Sequence, residues 1–329
     1  MKRAEKEGQV MVITGATSGI GRAMAVEWAR QGGSVVLAAR SKEILEEVAS
    51  VCIEAGGKAS LVQADVSNEK EVNNIAEEAI RAFGKIDVWL NNAAVMVFGS
   101  FNDIPTEDVL KIVNTNLLGV IYGARVALKH FRSRAKGILI NMGSIAGIVG
   151  QPYSVPYSIS KAGIRALGIA LGQELENEKN IHVCTVLPSI IDTPIYQHAA
   201  NYSGNSINPP TSATPVEKVV EAILKLTAKP TKEVFVGKRN QAIRLGRSMA
   251  PGFFDKIYQK SLDTIELTDP PTPSGKGNLY EPMPWLAGTS GGWLEKEKKG
   301  KRLTFKSIAG KTAITAGIII GTAWLFSKA

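Results

Sequence analysis

The sequence predicts an α/β domain built on a doubly wound, mostly parallel seven-stranded sheet, with a C-terminal helical extension and a hydrophobic tail. Three observations carry this. Short β-rich runs alternate with longer segments of helical period, as repeated βαβ units require. Several of the runs are almost continuously apolar, the pattern of strands covered on both faces. With 44% hydrophobic and 21% charged residues over 329 positions, the chain can bury a sizeable core.

The strands are expected at Gln9–Ile13, Ser34–Ala38, Ala59–Gln63, Ile86–Leu90, Gly137–Asn141, Ile181–Leu187 and Glu233–Val236. Helices are expected near 19–31, 41–55, 68–83, 106–132, 156–177 and 215–228. Gly32-Gly33 and Gly56-Gly57 follow two of them, where helices commonly stop. A ligand of such a sheet binds beyond the carboxyl ends of the strands.

The rhythm breaks after Val236, so the α/β domain is expected to span 1–237. Residues 238–267 read as a basic helical extension interrupted at Pro251-Gly252, and 268–306 as a Pro/Gly-rich and then basic linker. Residues 307–328 are mostly apolar. Of the net charge of +9, residues 290–329 hold +6, with eight Lys/Arg against two Glu. The body is nearly balanced, which argues against nucleic acid as a partner. Two cysteines and three scattered histidines give neither a disulfide framework nor a zinc pattern, so no metal is expected and a reduced compartment fits.

The first strand leads into Thr14-Gly15-Ala16-Thr17-Ser18-Gly19-Ile20-Gly21. Glycines at a strand-to-helix turn let the backbone approach a ligand, and the helix N-terminus offers free N–H groups to phosphate. Taken alone, the stretch also admits the reading of an ordinary glycine-rich turn. Asn91-Asn92-Ala93-Ala94 follows the fourth strand, and Ser144 precedes Tyr157-Ser158-Ile159-Ser160-Lys161 by 13 residues. Asn116 lies in the helical segment between them. A lone helical Tyr is usually a packing residue and a Lys one turn later a solvated charge; taken together in this order, the residues favour a functional reading.

Together these motifs resemble the short-chain dehydrogenase/reductase family over roughly the first 236 residues. The resemblance implies a Rossmann-like fold and an oxidoreductase that interconverts an alcohol and a ketone or aldehyde by hydride transfer with a nicotinamide cofactor. It implies that Tyr157 exchanges a proton with the substrate oxygen and that Lys161 lowers the phenol's pKa and holds the nicotinamide ribose. Ser144 would orient the substrate oxygen, and Asn116 would sustain a water relay from Lys161. The spacing agrees, since Tyr157 and Lys161 share one helix face. A phenol near pKa ~10 is a poor catalyst at pH 7 until its anion is stabilised.

The cofactor-binding set implied by the same motifs is Gly15, Thr17, Ser18, Gly19, Ile20, Gly21, Arg40, Asp65, Val66, Asn92, Ala93, Tyr157, Lys161, Ile191 and Thr193. Ala94 stands where the family usually has Gly, and Pro188-Ser189 stands for Pro-Gly. Relatives that use NAD carry an Asp at the end of the second strand, whereas this chain has Ala39 followed by Arg40. NADP(H) is therefore expected over NAD(H), with Arg40 on the 2′-phosphate and Asp65 at the adenine.

Residues 194–214 fall at the family's variable substrate lid, and Met96, Phe98, Ile148, Tyr153 and Tyr196 suggest a pocket for an apolar substrate. The alternatives are a non-catalytic nucleotide-binding scaffold on the same fold, and an epimerase or dehydratase. An intact Asn116, Ser144, Tyr157 and Lys161 argues against the first, and the short extension against the second. Relatives commonly form dimers or tetramers, so a homo-oligomer is expected.

The tail is expected to attach the enzyme to a membrane, its catalytic domain in the cytoplasm. Ser307–Phe326 is 20 residues long, enough to span if Lys311 snorkels. The preceding Lys296, Lys298, Lys299, Lys301, Arg302 and Lys306 suit the cytoplasmic side. The competing expectation is a helix that docks on protein.

Overall fold

The computed structural model describes residues 5–207, 213–237, 249, 252 and 267–295. Its strands are β1 (Val10–Thr14), β2 (Ser34–Ala39), β3 (Lys58–Gln63), β4 (Val88–Asn91), β5 (Val97–Phe98), β6 (Gly137–Met142), β7 (Ile181–Pro188), β8 (Ala200–Asn201), β9 (Asn205–Ile207), β10 (Glu233–Val236) and β11 (Leu267–Pro271). Seven of them form one sheet in the order β10-β7-β6-β4-β1-β2-β3. Every pairing within it is parallel. The order reverses between β1 and β4, which opens a crevice at their carboxyl ends.

The helices are α1 (Gly19–Arg30), α2 (Lys42–Glu54), α3 (Glu69–Phe83), α4 (Thr106–Val113), α5 (Gly119–Arg134), α6 (Ala146–Val149), α7 (Val155–Glu174), α8 (Ile195–His198) and α9 (Val216–Ala228). Local chemistry sets several ends. The Ser41 hydroxyl accepts from the Ile44 N–H at 3.5 Å, Asn68 Oδ1 accepts from the Lys70 N–H at 3.1 Å, and Gly84 closes α3 at a φ of +75°.

Strand alternation sorts the core into two layers. Met11 and Ile13 of β1 face Met24 and Trp28 of α1 and Ile223 of α9, whereas Val10 and Val12 belong with Ile75 of α3 and Phe131 of α5. Trp28 and Phe131 are fully buried, and each stabilises its layer by several kcal/mol on the scale of large aromatic truncations, ~3–5 kcal/mol.

Two departures from the sequence expectation matter for the site. The single helix expected over 106–132 is instead α4 and α5 joined by a π-helical turn at Asn114–Leu118. The Asn116 side chain leaves the helix there to bond the backbone of Val95.

The second departure is the Pro/Gly-rich stretch expected to be a linker, whose described part, 268–295, lies against the domain. β11 pairs antiparallel with β9, and the following residues cross the carboxyl edge of the sheet as a strap. Leu279 is fully buried beside Val97, Ile104 and Ile112. Trp293 packs on Tyr196, their rings 6.3 Å apart edge to face. Two apolar anchors and two buried carboxylates, Asp108 and Asp192, outweigh the loose tendency of the proline and glycine around them.

Among the described residues no helix is long and apolar enough to cross a membrane. The tail read at 307–328 and the basic run before it lie outside the described residues, as does nearly all of the 238–267 extension.

Candidate active site

The floor of the crevice is the turn between β1 and α1. Gly15 and Gly19 hold φ values of +67° and +52°, which a side chain would strain. A Cβ on Gly21 would lie 2.2 Å from the Gly15 carbonyl oxygen and 2.6 Å from Asn92 Nδ2. Asn92 clamps the turn by donating from Nδ2 to the carbonyl oxygens of Thr14 (2.9 Å) and Gly15 (3.1 Å). Its own N–H and that of Ala93 donate to Thr14 Oγ1 at 3.0 and 3.2 Å. The asparagine motif and the glycine turn are thus one unit.

At one end of the crevice stand Arg40 and Asp65. Arg40 Nη1 donates to the carbonyl oxygens of Leu279 and Tyr280, both at 3.0 Å, and Nη2 to that of Asn278 at 2.6 Å. Burial lowers the Arg40 pKa, with Asp65 and Glu281 opposing. Burial would raise the Asp65 carboxyl, but hydrogen bonds from Lys111 (2.8 Å) and Ser67, with the Lys111 charge, hold it below the usual carboxylate range.

At the other end, α7 presents Tyr157 and Lys161 one turn apart, both buried. Close approach of α6 fixes this, because a Cβ on Gly147 would lie 2.6 Å from the Lys161 backbone. Lys161 Nζ donates to the carbonyl oxygen of Met142, the last residue of β6, at 2.7 Å. Ser144 follows that strand, accepts from the Ala146 N–H at 3.1 Å and hydrogen-bonds Tyr157. Burial pushes the Tyr157 phenol up to about 12, against the Ser144 bond, and Lys161 down to about 7. A cationic nicotinamide beside the phenol would oppose the rise that burial causes at Tyr157.

Asn116 lies in the same region, but its side chain is engaged elsewhere. Oδ1 accepts from the Val95 N–H and Nδ2 donates to the Val95 carbonyl oxygen, both at 2.8 Å, with a longer bond to Ser160 Oγ at 3.3 Å.

One continuous cavity of about 560 Å³ joins these parts. It brings together Gly15, Thr17, Ser18, Gly19, Ile20, Arg40, Asp65, Val66, Asn92, Ala93, Ser144, Tyr157, Lys161, Ile191 and Thr193. Gly21 and Asn116 sit behind its wall. A long cleft with a glycine floor, a helix N-terminus midway and a buried Tyr–Lys–Ser group at one end fits an extended dinucleotide. Of the substrate-pocket candidates, Met96 and Tyr196 line the cavity, whereas Phe98 stacks behind Tyr196 at 5.8 Å. Ile148 and Tyr153 are not part of its lining.

Sequence reasoning missed the strap, from which Asn278, Pro282, Met283, Pro284 and Ala287 also line the cavity. It runs the length of the cleft. Beyond Arg40, the Gly288 carbonyl oxygen accepts from the Gly19 N–H at 2.9 Å, and the Leu286 carbonyl oxygen meets His198 Nε2 at 3.0 Å. Asp192 Oδ1 accepts from the N–H groups of Gly291 (3.1 Å) and Trp293 (3.0 Å), and Oδ2 from the Ser290 hydroxyl at 2.8 Å. Trp293 Nε1 donates to the Thr193 carbonyl oxygen at 3.0 Å. The only sequence signal was a leucine and tryptophans set among prolines and glycines.

The sequence profile of the short chain dehydrogenase family matches residues 9–202. The chain belongs to that family. It is an oxidoreductase that interconverts an alcohol and a ketone or aldehyde with a nicotinamide cofactor. An uncharacterized oxidoreductase of Bacillus subtilis, YxnA, is 34% identical over all of this chain and 93% of its own length. A 3beta-hydroxysteroid dehydrogenase of Eggerthella lenta is 36% identical over 57% of the enzyme and 73% of that relative. In fold, the enzyme is similar to NAD+-bound xylitol dehydrogenase, with a TM-score of 0.63 at 23% identity, over 71% of this chain and 99% of the other.

Proposed function

We propose that the enzyme reduces or forms a carbonyl on an apolar substrate with Tyr157 as the acid–base group and NADP(H) as the preferred cofactor. The observation that carries this is the buried Tyr157–Ser144–Lys161 group at one end of a cleft whose other end holds Arg40. When bound, the nicotinamide supplies or takes up the hydride. Tyr157 donates its proton to the substrate oxygen in reduction and takes it back in oxidation. Ser144 hydrogen-bonds that oxygen and fixes its distance from the phenol. Lys161, held by the Met142 carbonyl, places its charge beside the phenolate that forms. Asn116 is a positioning residue that keeps the π-helical turn against Val95 and in that way supports a relay to Lys161. Met96, Tyr196, Ile190, Ile195 and Met283 favour an apolar substrate body.

The NADP(H) preference is supported by the absence of a carboxylate at Ala39 and by the guanidinium of Arg40, which can give a 2′-phosphate two charge-assisted hydrogen bonds of ~1.5–3 kcal/mol each. A panel of carbonyl compounds and alcohols, followed by NADPH and NADH absorbance on the full chain, tests both parts. A kcat/KM that favours NADH, or a preference unchanged in Arg40→Ala, refutes the cofactor assignment. Turnover that survives in Tyr157→Phe refutes the mechanism.

The same proposal extends to the tail. The uncharged stretch Ser307–Phe326 behind a basic run supports attachment of a cytoplasmic catalytic domain to a membrane, and oligomers of the enzyme are expected. Fractionation of cells that express the full chain and a chain ending at Glu295 tests the attachment. Recovery of both in the soluble fraction without detergent rejects it.

A further inference from the structure

The hydrogen bonds that Arg40 makes decide more than the docking of the strap. Three main-chain oxygens, those of Asn278, Leu279 and Tyr280, accept from its two terminal nitrogens. Carbonyl oxygens converging on a guanidinium present what a phosphate would present, without the charge. The Asn278 side chain adds a second, independent observation. It lines the cofactor cleft, and its Oδ1 is buried with no hydrogen-bond partner. An amide oxygen there accepts from a ribose hydroxyl and repels a phosphate.

We propose that residues 278–280 are a cofactor-specificity determinant. Docked, they hold Arg40 and offer the Asn278 amide oxygen, an arrangement that admits the 2′-hydroxyl of NAD(H). Displaced, they release Arg40 to the 2′-phosphate of NADP(H). This rests on the reading of Arg40 as the 2′-phosphate residue.

The two ends of the strap are anchored separately. Near Arg40 it is fixed by Leu279 in its apolar cluster, by the Asn278 N–H, which donates to the His198 carbonyl oxygen at 2.8 Å, and by the Tyr280 hydroxyl, which donates to Asp108 Oδ1 at 2.6 Å. Asp108 is fully buried and also accepts from Tyr202. Tyr280 itself is 38% exposed, so this anchor is half in solvent. At the far end Asp192 and Trp293 hold residues 290–293 separately. The 2′-phosphate thus competes with a short segment and not with the whole strap.

The test measures NADPH and NADH dissociation constants on the full chain, by fluorescence, for the parent, Tyr280→Phe, Leu279→Ala and Arg40→Ala. Weakening the anchor in Tyr280→Phe or Leu279→Ala is expected to tighten NADPH several-fold and to leave NADH within about twofold. In Arg40→Ala the parent's NADPH preference falls at least tenfold, ~1.4 kcal/mol, and adding Leu279→Ala then shifts nothing further. Hydrogen exchange gives a reading that needs no variant: the amides of Asn278 and Leu279, which donate to the carbonyl oxygens of His198 and Lys276, lose protection when NADP+ binds and keep it when NAD+ binds. Equal changes for the two cofactors in both anchor variants, or equal protection with NADP+ and NAD+, overturns the proposal. A preference unmoved by Arg40→Ala overturns the reading beneath it instead. Tyr280→Phe removes one oxygen from a partly exposed ring, so it keeps the test decisive if Leu279→Ala fails to fold.

Discussion

Lys161 Nζ lies 5.4 Å from the centre of the Tyr157 ring, with the Met142 carbonyl holding it there. The contact puts the lysine beside the phenol, one turn away, without a direct bond between the two. Removing the hydroxyl and removing the ammonium should therefore have different signatures. Tyr157→Phe is expected to lose turnover while cofactor binding stays within a few-fold of the parent. Lys161→Met should lose turnover and weaken cofactor binding together. Steady-state rates and cofactor titrations on the two variants separate these outcomes.

Lys161 also predicts how stability varies with pH. Its pKa falls from 10.5 in the unfolded chain to about 7 in the fold, because burial disfavours the charged form. Between those values the unfolded state binds more protons at this group, so the Lys161 contribution to stability rises with pH through that window and levels off above it, while the buried thiols of Cys52 and Cys184, pushed up to about 11, act in the opposite direction above pH 9. Lys161→Met should remove this contribution. Denaturant unfolding of the cofactor-free protein at pH 7 and pH 10, for parent and variant, measures it; equal slopes would contradict the lysine as its source.

Gly21→Ala should damage cofactor binding more than overall folding. The added methyl would sit 2.2 Å from the Gly15 oxygen and 2.6 Å from Asn92 Nδ2, so the clamp on the glycine turn must open. Overpacking of this kind costs about 1–3 kcal/mol. The expected result is a modest drop in denaturation midpoint with cofactor affinity reduced at least tenfold. Unchanged affinity would show that the turn tolerates the shift.

Asn116→Ala leaves the Val95 N–H and carbonyl oxygen buried without their partners. Each unsatisfied group costs roughly 1–3 kcal/mol, so a clear loss of thermal stability is expected. If Asn116 positions a proton relay, the variant's pH–rate profile should shift as well, whereas a purely structural residue would lower stability and leave the profile in place.

The sheet was legible because its signals are local and repeated. Alternating apolar residues in β1 mark both core layers, and every strand of the main sheet was found within two residues of its expected ends. The cleft was legible for another reason: Gly15, Asn92, Tyr157 and Lys161 stand in motifs that resemble those of a known family, and one helix sets Tyr157 and Lys161 a turn apart. Long-range pairings left no such trace. The carbonyl oxygens that engage Arg40 lie 238 to 240 residues away and are main-chain atoms, which no residue type announces. The π-helical turn was hidden likewise, since it follows from Asn116 reaching Val95 across 21 residues.

Asp192 reaches residues 290–293 from a position directly before Thr193 and directly after Ile191, two residues that line the cleft. That adjacency bears on how the enzyme is best produced as a fragment. Stopping at Val236, where the last strand of the main sheet ends, would leave the Asp192 carboxylate without its three donors and uncover the Tyr196 ring. Such a piece would retain all seven strands of that sheet, yet the cleft beside Ile191 and Thr193 would lose the contacts that hold it. Glu295, and not Val236, is the boundary at which catalysis should survive shortening.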